Sequence, residues 1–254
     1  MTTSSQSLAR EQGRRQENAN YLFKCLILAN FIQYLEAGAV PALLLDLSDS
    51  FNMGSGSQGL LGGVVYMSLS LGSPVAGYLL RKYDHKTVIS TAVALNMLFT
   101  FLWAMTPVGR PYSTRLFIAL RFVMGLCQCV LCVFLPLWTH ENAPKDKNTS
   151  WMSYLQASVP FGVMTGYIIA STLMTISRRK ELCMGLICWR WPFLVEIMLL
   201  CPLYVIIYMV PREDIQVCLS SGESRRRRVR VRERERWASV DGTWVDAGEG
   251  VQGE

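Results

Sequence analysis

Apolar residues in this chain gather into six long runs, separated by short polar or charged connections. The clearest run begins at Gly59, reads GLLGGVVYMSLSLGSPVAGYLL, and stops in the charged loop RKYDHK. About 22 residues pass without a formal charge, enough at about 1.5 Å per residue to cross a hydrocarbon core of about 30 Å. Glycine and proline within it would weaken a soluble helix but are tolerated in a membrane span. Small residues recur at four-residue spacing, pairing Gly59 with Gly63, Ser68 with Gly72, Gly72 with Ala76, and Ser73 with Gly77. That spacing keeps one side open to close approach by another helix.

The other runs predict five more spans. Tyr21 to Leu45 forms the first and holds Asn30, Gln33, Glu36 and Pro41. An acidic connection from Asp46 to Gln58, without Lys or Arg, leads to the Gly59 run. Thr87 to Met105 is the third span, followed by a Pro/Gly turn over Pro107–Thr114. Leu116 to Trp138 is the fourth and contains Arg121; the polar loop HENAPKDKNTS follows. Met152 to Ile176 is the fifth, with the small-residue ladder Ser158, Gly162, Gly166 and Ala170. A basic connection over Ser177–Cys188 precedes the sixth span, Trp189 to Val210, which carries Glu196. The fold class expected is an all-α membrane protein with six transmembrane helices. Residues 21–211 form the membrane unit, 1–20 read as a disordered polar tail without a signal peptide, and 212–254 as a disordered Arg-rich tail.

Composition changes little in this picture. The chain is 51% hydrophobic, and its net charge of +6 lies in connections and tails. That charge marks topology and contact with lipid head groups rather than nucleic acid. The N-terminal tail, the RKYDHK loop, the APKDK loop and the Arg-rich tail fall on one side of a six-span protein, which places both termini in the cytoplasm. Arg178, Arg179 and Lys180 are the exception. The sequon Asn148-Thr149-Ser150 would then face the cytoplasm and stay unmodified.

The eight cysteines show neither a disulfide framework nor zinc spacing, and Cys127, Cys129 and Cys132 read as packing residues. No metal or cofactor is expected. HExxH, GxSxG and paired intramembrane aspartates are absent, so an enzyme is not expected. His85 and His140 read as solvated, and Trp189 and Trp191 as boundary markers. Glu196, two turns into its span, reads as reaching the interface by snorkelling. Gln128 and Gln156 suit either a cavity lining or bonds between helices.

The candidate functional charges are Glu36 and Arg121, with Gln33 three residues before Glu36 on the same helical face. An unpaired charge inside an apolar run costs at least about 2.5 to 3.5 kcal/mol on insertion scales. Arginine stays protonated, whereas a carboxyl group can take up a proton. A contact made and broken between them would therefore link protonation to a conformational change. A static pair, or two separately satisfied charges, that only steadies the bundle is the other reading.

Six spans with a basic loop after the second resemble one half of a major facilitator superfamily transporter. The stretch Gly77-Tyr78-Leu79-Leu80-Arg81-Lys82-Tyr83-Asp84-His85-Lys86 is similar in register to the superfamily signature G-x-L-x-D-R-x-G-R-K. It keeps Gly77, Leu79, Lys82 as a basic residue, and Lys86. Arg81 replaces the signature aspartate, Asp84 its second glycine, and His85 its next arginine. The resemblance implies a gating role for this loop, and the loss of the aspartate removes the usual latch between halves. Arg121 and Gly125 resemble the R-x-x-x-G signature of the fourth helix. PFGVMTGY is similar to the glycine-rich fifth helix, where Ser158, Gly162, Gly166 and Ala170 imply close helix packing. YLEAGAVPALL and VPFGVMTGYI resemble the spinster-type carriers, in which an acidic residue on the first helix and an arginine on the fourth match Glu36 and Arg121. The family fold pairs two six-helix halves around a substrate site, with the second and fifth helices facing the opposite half. The expectation is a carrier for a small solute or lipid, proton-coupled through Glu36 and Arg121, seen as an N-terminal half or truncated product. Its partners would be membrane lipids and a second half or a second copy. The alternative is a non-transporting truncated protein that pairs with or regulates a full-length relative.

Overall fold

A computed structural model describes the backbone of residues 2–144, 146–180, 188–211 and 215, with side chains from 14 onward except 15 and 177–188. The Arg-rich segment read at 212–254 lies outside the described residues, Ile215 excepted, as do the side chains of Arg178, Arg179 and Lys180. Among the described residues the secondary structure is helical throughout: α1 (Thr2–Gln33), α2 (Leu35–Ala42), α3 (Leu44–Phe51), α4 (Ser55–Lys82), α5 (His85–Ala104), α6 (Ser113–Asn142), α7 (Asn148–Lys180) and α8 (Trp191–Met209). A 3-10 turn, Cys188–Arg190, leads into α8.

Among the described residues, six stretches are long and apolar enough to cross a membrane: Gln16–Ala42, Ser55–Lys82, His85–Ala104, Ser113–Asn142, Asn148–Ile176 and Trp191–Met209. The protein is therefore an all-α membrane protein of six spans. The first is interrupted at Tyr34 and again at Leu43, so α1 and α2 together make one crossing. Pro41 sits inside α2, two residues before the second break, without interrupting the turn that precedes it. Prolines 74, 136, 160 and 202 sit inside other spans without ending them.

Two stretches differ from the sequence expectation. The polar stretch read as a tail is helical from Thr2, continuous with α1. Its Gln, Glu, Arg and Ala residues are good helix formers, and a helix already nucleated by the span extends at low cost. The acidic connection is also largely helical, as α3. Asn52 ends it in the left-handed region at φ 49°, and the Met53 N–H donates to the Ser48 carbonyl at 3.0 Å. Asparagine tolerates that conformation better than most residues.

The loop between α4 and α5 is short because Asp84 caps α5, its carboxylate accepting from the Thr87 N–H at 3.3 Å and the Thr87 hydroxyl at 3.1 Å. Arg81 and Lys82 fall in the last turn of α4, where cations complement the helix dipole.

Packing is carried by α4 on α6, α2 on α7, α5 on α6 and α8, and α1 on α7 and α8. A buried aromatic layer joins them. Trp103 stacks on Phe117 at 4.2 Å between ring centroids and meets Phe193 edge-on at 4.5 Å, while Trp189 lies 5.6 Å from Phe51. Trp189 is therefore a core residue rather than a boundary marker, because α3 folds Phe51 back over it. His85 is likewise buried, 6.1 Å from the Phe134 ring, and not solvated.

Candidate functional site

The break between α1 and α2 places Glu36 on the inner face of the first span. The Arg121 Nη1 atom lies 2.9 Å from Glu36 Oε1, with the two side chains 2% and 1% exposed. At that distance the contact is a charge-assisted ion pair. Beyond it, both Glu36 oxygens and the Arg121 Nε and Nη1 atoms have no hydrogen-bond partner among the described residues. Arg121 is also held by aromatic contact, its guanidinium carbon 5.4 Å from the Trp103 ring centre. Such a contact contributes about 2 kcal/mol when desolvated. The pair is thus brought together and buried, with acceptor and donor atoms left over beyond the ion pair itself among the described residues.

Gln33 is buried on the same side. Its backbone carbonyl accepts from Gln128 Nε2 at 3.1 Å, so Gln128 bonds a neighbouring helix. Gln156 is exposed. Asn30 Nδ2 donates to Ser158 Oγ at 2.9 Å, and the Tyr34 hydroxyl lies 2.9 Å from Cys132 Sγ. These contacts fix α1 and α2 against α6 and α7 around the charges.

The small residues do the same by steric fit. A Cβ on Gly38 would overlap the Val163 carbonyl oxygen, and one on Gly166 the Leu35 carbonyl oxygen. One on Gly162 would come within 2.6 Å of the Phe31 carbonyl oxygen. Ser158, Gly162, Gly166 and Ala170 form the buried face of α7, turned toward the first span. Gly125 similarly faces Ser68, and a Cβ on Gly72 would sit 3.2 Å from the Cys129 Cβ. The ladders therefore seat α7 and α4 within this six-helix unit, and their outward faces carry bulky residues instead. Tyr66, Leu71 and Val75 on α4 and Phe161, Met164 and Tyr167 on α7 are exposed. Gly59, Gly63 and Gly77 have open space where a Cβ would go.

The loop residues that resemble the superfamily signature are dispersed. Leu79 is half-buried and Arg81 exposed. Lys82 Nζ donates to the Tyr78 hydroxyl at 3.1 Å, Asp84 caps α5, and Lys86 Nζ stands 5.5 Å from the Tyr208 ring centre.

Glu196 departs from the snorkelling expectation. It is 2% exposed, its Oε2 atom has no hydrogen-bond partner, and it interacts electrostatically with both Glu36 and Arg121. It cannot snorkel, because it sits on the inner stripe Phe193, Glu196, Leu200, Leu203, Ile207 of α8. The spacing of that stripe is legible in the sequence, but α8 is apolar on every side, so polarity alone does not show which face turns inward.

On the outer side of α1 and α7, a groove of about 910 Å³ is lined by Phe23, Lys24, Phe31, Lys147, Trp151 and Phe161, among others. Two ammonium groups thus accompany an aromatic wall.

Residues 26–244 match the profile of the Major Facilitator Superfamily. The chain is 23% identical over 176 residues to protein spinster homolog 1 of Mus musculus, covering 68% of this chain and 32% of that protein. It is 25% identical over 150 residues to the sphingosine-1-phosphate transporter SPNS2 of Danio rerio, covering 58% and 28%. The chain thus spans about a third of the length of these relatives. In structure it resembles a bacterial homolog of the human lysosomal transporter Spinster, at TM-score 0.63 and 13% identity over 75% of this chain and 43% of that one. It also resembles the proton:xylose symporter XylE, at TM-score 0.64 and 16% identity over 76% and 45%. Six helices, the loop after the second, and the matched profile together make this chain a member of the Major Facilitator Superfamily, spinster-like at low identity.

Proposed function

We propose that this chain serves as the N-terminal half of a proton-coupled carrier for a small anionic amphiphile. The observation that carries the reading is the buried Glu36–Arg121 ion pair, 2.9 Å apart. A pair of this kind is costly to bury in lipid and is found where a pathway or a proton relay needs it. Arg121 offers a permanent charge and Glu36 a carboxyl group that can bind a proton. Breaking the contact links proton uptake to movement of α2 against α6. The exposed apolar faces of α4 and α7 fit a second six-helix half, against which this one would rock. Lys24 and Lys147 beside an aromatic wall suit a ligand with an anionic head and an apolar chain. Sphingosine-1-phosphate, named for the Danio rerio relative, has that chemistry.

The test is proton-driven uptake of labelled sphingosine-1-phosphate into proteoliposomes by a carrier that contains these six spans and a second half. Glu36→Gln is expected to abolish proton-driven uptake while leaving exchange intact. Lys24→Gln with Lys147→Gln is expected to weaken binding of the phosphorylated lipid by about tenfold, as for two lost charge contacts of roughly 0.7 kcal/mol each. Unchanged proton-driven uptake in Glu36→Gln would reduce the pair to a structural one.

A further inference from the structure

The aromatic layer around Trp103 fixes where the buried charges stand. Phe117 of α6 and Phe193 of α8 both pack on the Trp103 ring, at 4.2 and 4.5 Å between centroids. The Trp103 Nε1–H donates to the Phe117 carbonyl at 2.9 Å, which pins the level. Arg121 follows Phe117 by four residues, and Glu196 follows Phe193 by three. As the fourth and sixth of six alternating spans, α6 and α8 run in the same direction. One helical turn past a shared aromatic layer therefore brings Arg121 and Glu196 to the same depth, both on inner faces. Glu36 already touches Arg121 there. That level thus holds three buried ionisable groups, one cation and two carboxyl groups.

Charge balance then decides the state. Arginine cannot give up its proton, so it neutralises one carboxylate. A second buried carboxylate without a cation would be an isolated charge in an apolar interior, and it takes up a proton instead. Among the described residues the remaining charges are engaged elsewhere: Arg190, on the 3-10 turn before α8, donates to the Thr106 carbonyl at 2.8 Å and lies over the Trp189 ring. Along the elements packed on α8, α1 has no charged residue between 25 and 33, and α7 has none between 148 and 177. On α5, His85 lies by Phe134, and Lys86 lies by Tyr208, twelve residues along α8 from Glu196.

We propose that Glu196 is a second carboxylate partner for Arg121, so that Glu36 and Glu196 share one guanidinium and hold one exchangeable proton between them. With Arg121 on Glu36, the proton sits on Glu196. When Arg121 turns to Glu196, that carboxyl group releases its proton and Glu36 binds one, so the cluster stays neutral throughout. The proposal rests on the proton-coupled reading above but is tested without substrate or a second half.

The experiment is infrared spectroscopy of the 254-residue chain in lipid nanodiscs at neutral pH, following the carbonyl band of protonated carboxyl groups and its shift in D2O. The wild-type chain is expected to show one such group. Glu196→Gln should lose the band, and Glu36→Gln should lose it too, because Arg121 then pairs with Glu196. Arg121→Gln should roughly double it. Glu196→Asp should restore it, and circular dichroism checks that each variant keeps its helices. A band that survives Glu196→Gln removes Glu196 from the cluster. One that survives Glu36→Gln shows that the two carboxyl groups do not share Arg121. A wild-type band absent in potassium buffer, or abolished by sodium, would replace the proton by a metal cation and overturn the proposal.

Discussion

Gly166 of α7 lies so close to Leu35 of α2 that a Cβ on the glycine would overlap the leucine carbonyl oxygen. Backbone, not a flexible side chain, is the obstacle. The contact stands one residue from Glu36, so the approach of α7 sets the position of the charge as well as the stability of the bundle.

Gly166→Val should therefore destabilise the six-helix unit by at least about 1–3 kcal/mol, the usual range for overpacking. Gly77→Ala, with open space around its Cβ position, should lie within about 0.5 kcal/mol of the parent. Thermal unfolding followed by size-exclusion chromatography measures both. Equal melting of the two variants would show that α2 and α7 do not depend on this approach.

The charges should be strongly non-additive. Glu36→Gln and Glu196→Gln each leave Arg121 one carboxylate, and each is expected to cost about 1 kcal/mol or less. The double variant strands the guanidinium, and breaking a buried pair in that way costs about 3–5 kcal/mol. Adding Arg121→Gln to the double variant should recover much of the loss. A melting series in which the two single effects simply add would count against shared pairing.

Topology offers a third check. With both termini in the cytoplasm, Asn148 at the start of α7 faces the cytoplasm and stays unglycosylated in microsomes. Sequons engineered at 52–54 or 108–110, at the opposite ends of the spans, should be modified. Glycosylation at Asn148 would invert the orientation.

The number and placement of the spans are legible in the apolar runs themselves. Uninterrupted apolar stretches and charged connections follow from the bilayer's length and polarity requirements, which act on each helix separately. The inward placement of Glu36 and Arg121 is legible for a related reason. Two opposite charges inside apolar runs are costly unless satisfied, which marks both as inward-facing; that they satisfy each other, rather than separate partners, is decided by packing.

Other features depend on which way a helix faces. The ladder Ser158, Gly162, Gly166, Ala170 announces a close neighbour but not its identity; tertiary packing turns it to the first span and leaves Phe161 and Tyr167 outward. Trp189 has the position of a boundary tryptophan, yet α3 brings Phe51 over it. Glu196 has the position of a snorkelling residue, yet it is 2% exposed on the inner stripe of α8. In water, the polar face of a helix marks the outside, so periodicity reveals orientation. In lipid both faces are apolar, and that signal fades. What the sequence determined by itself is thus what each span needs singly: length, apolarity and charged ends. Which residues meet inside was decided by packing, through steric fits and aromatic contacts between segments far apart in the chain.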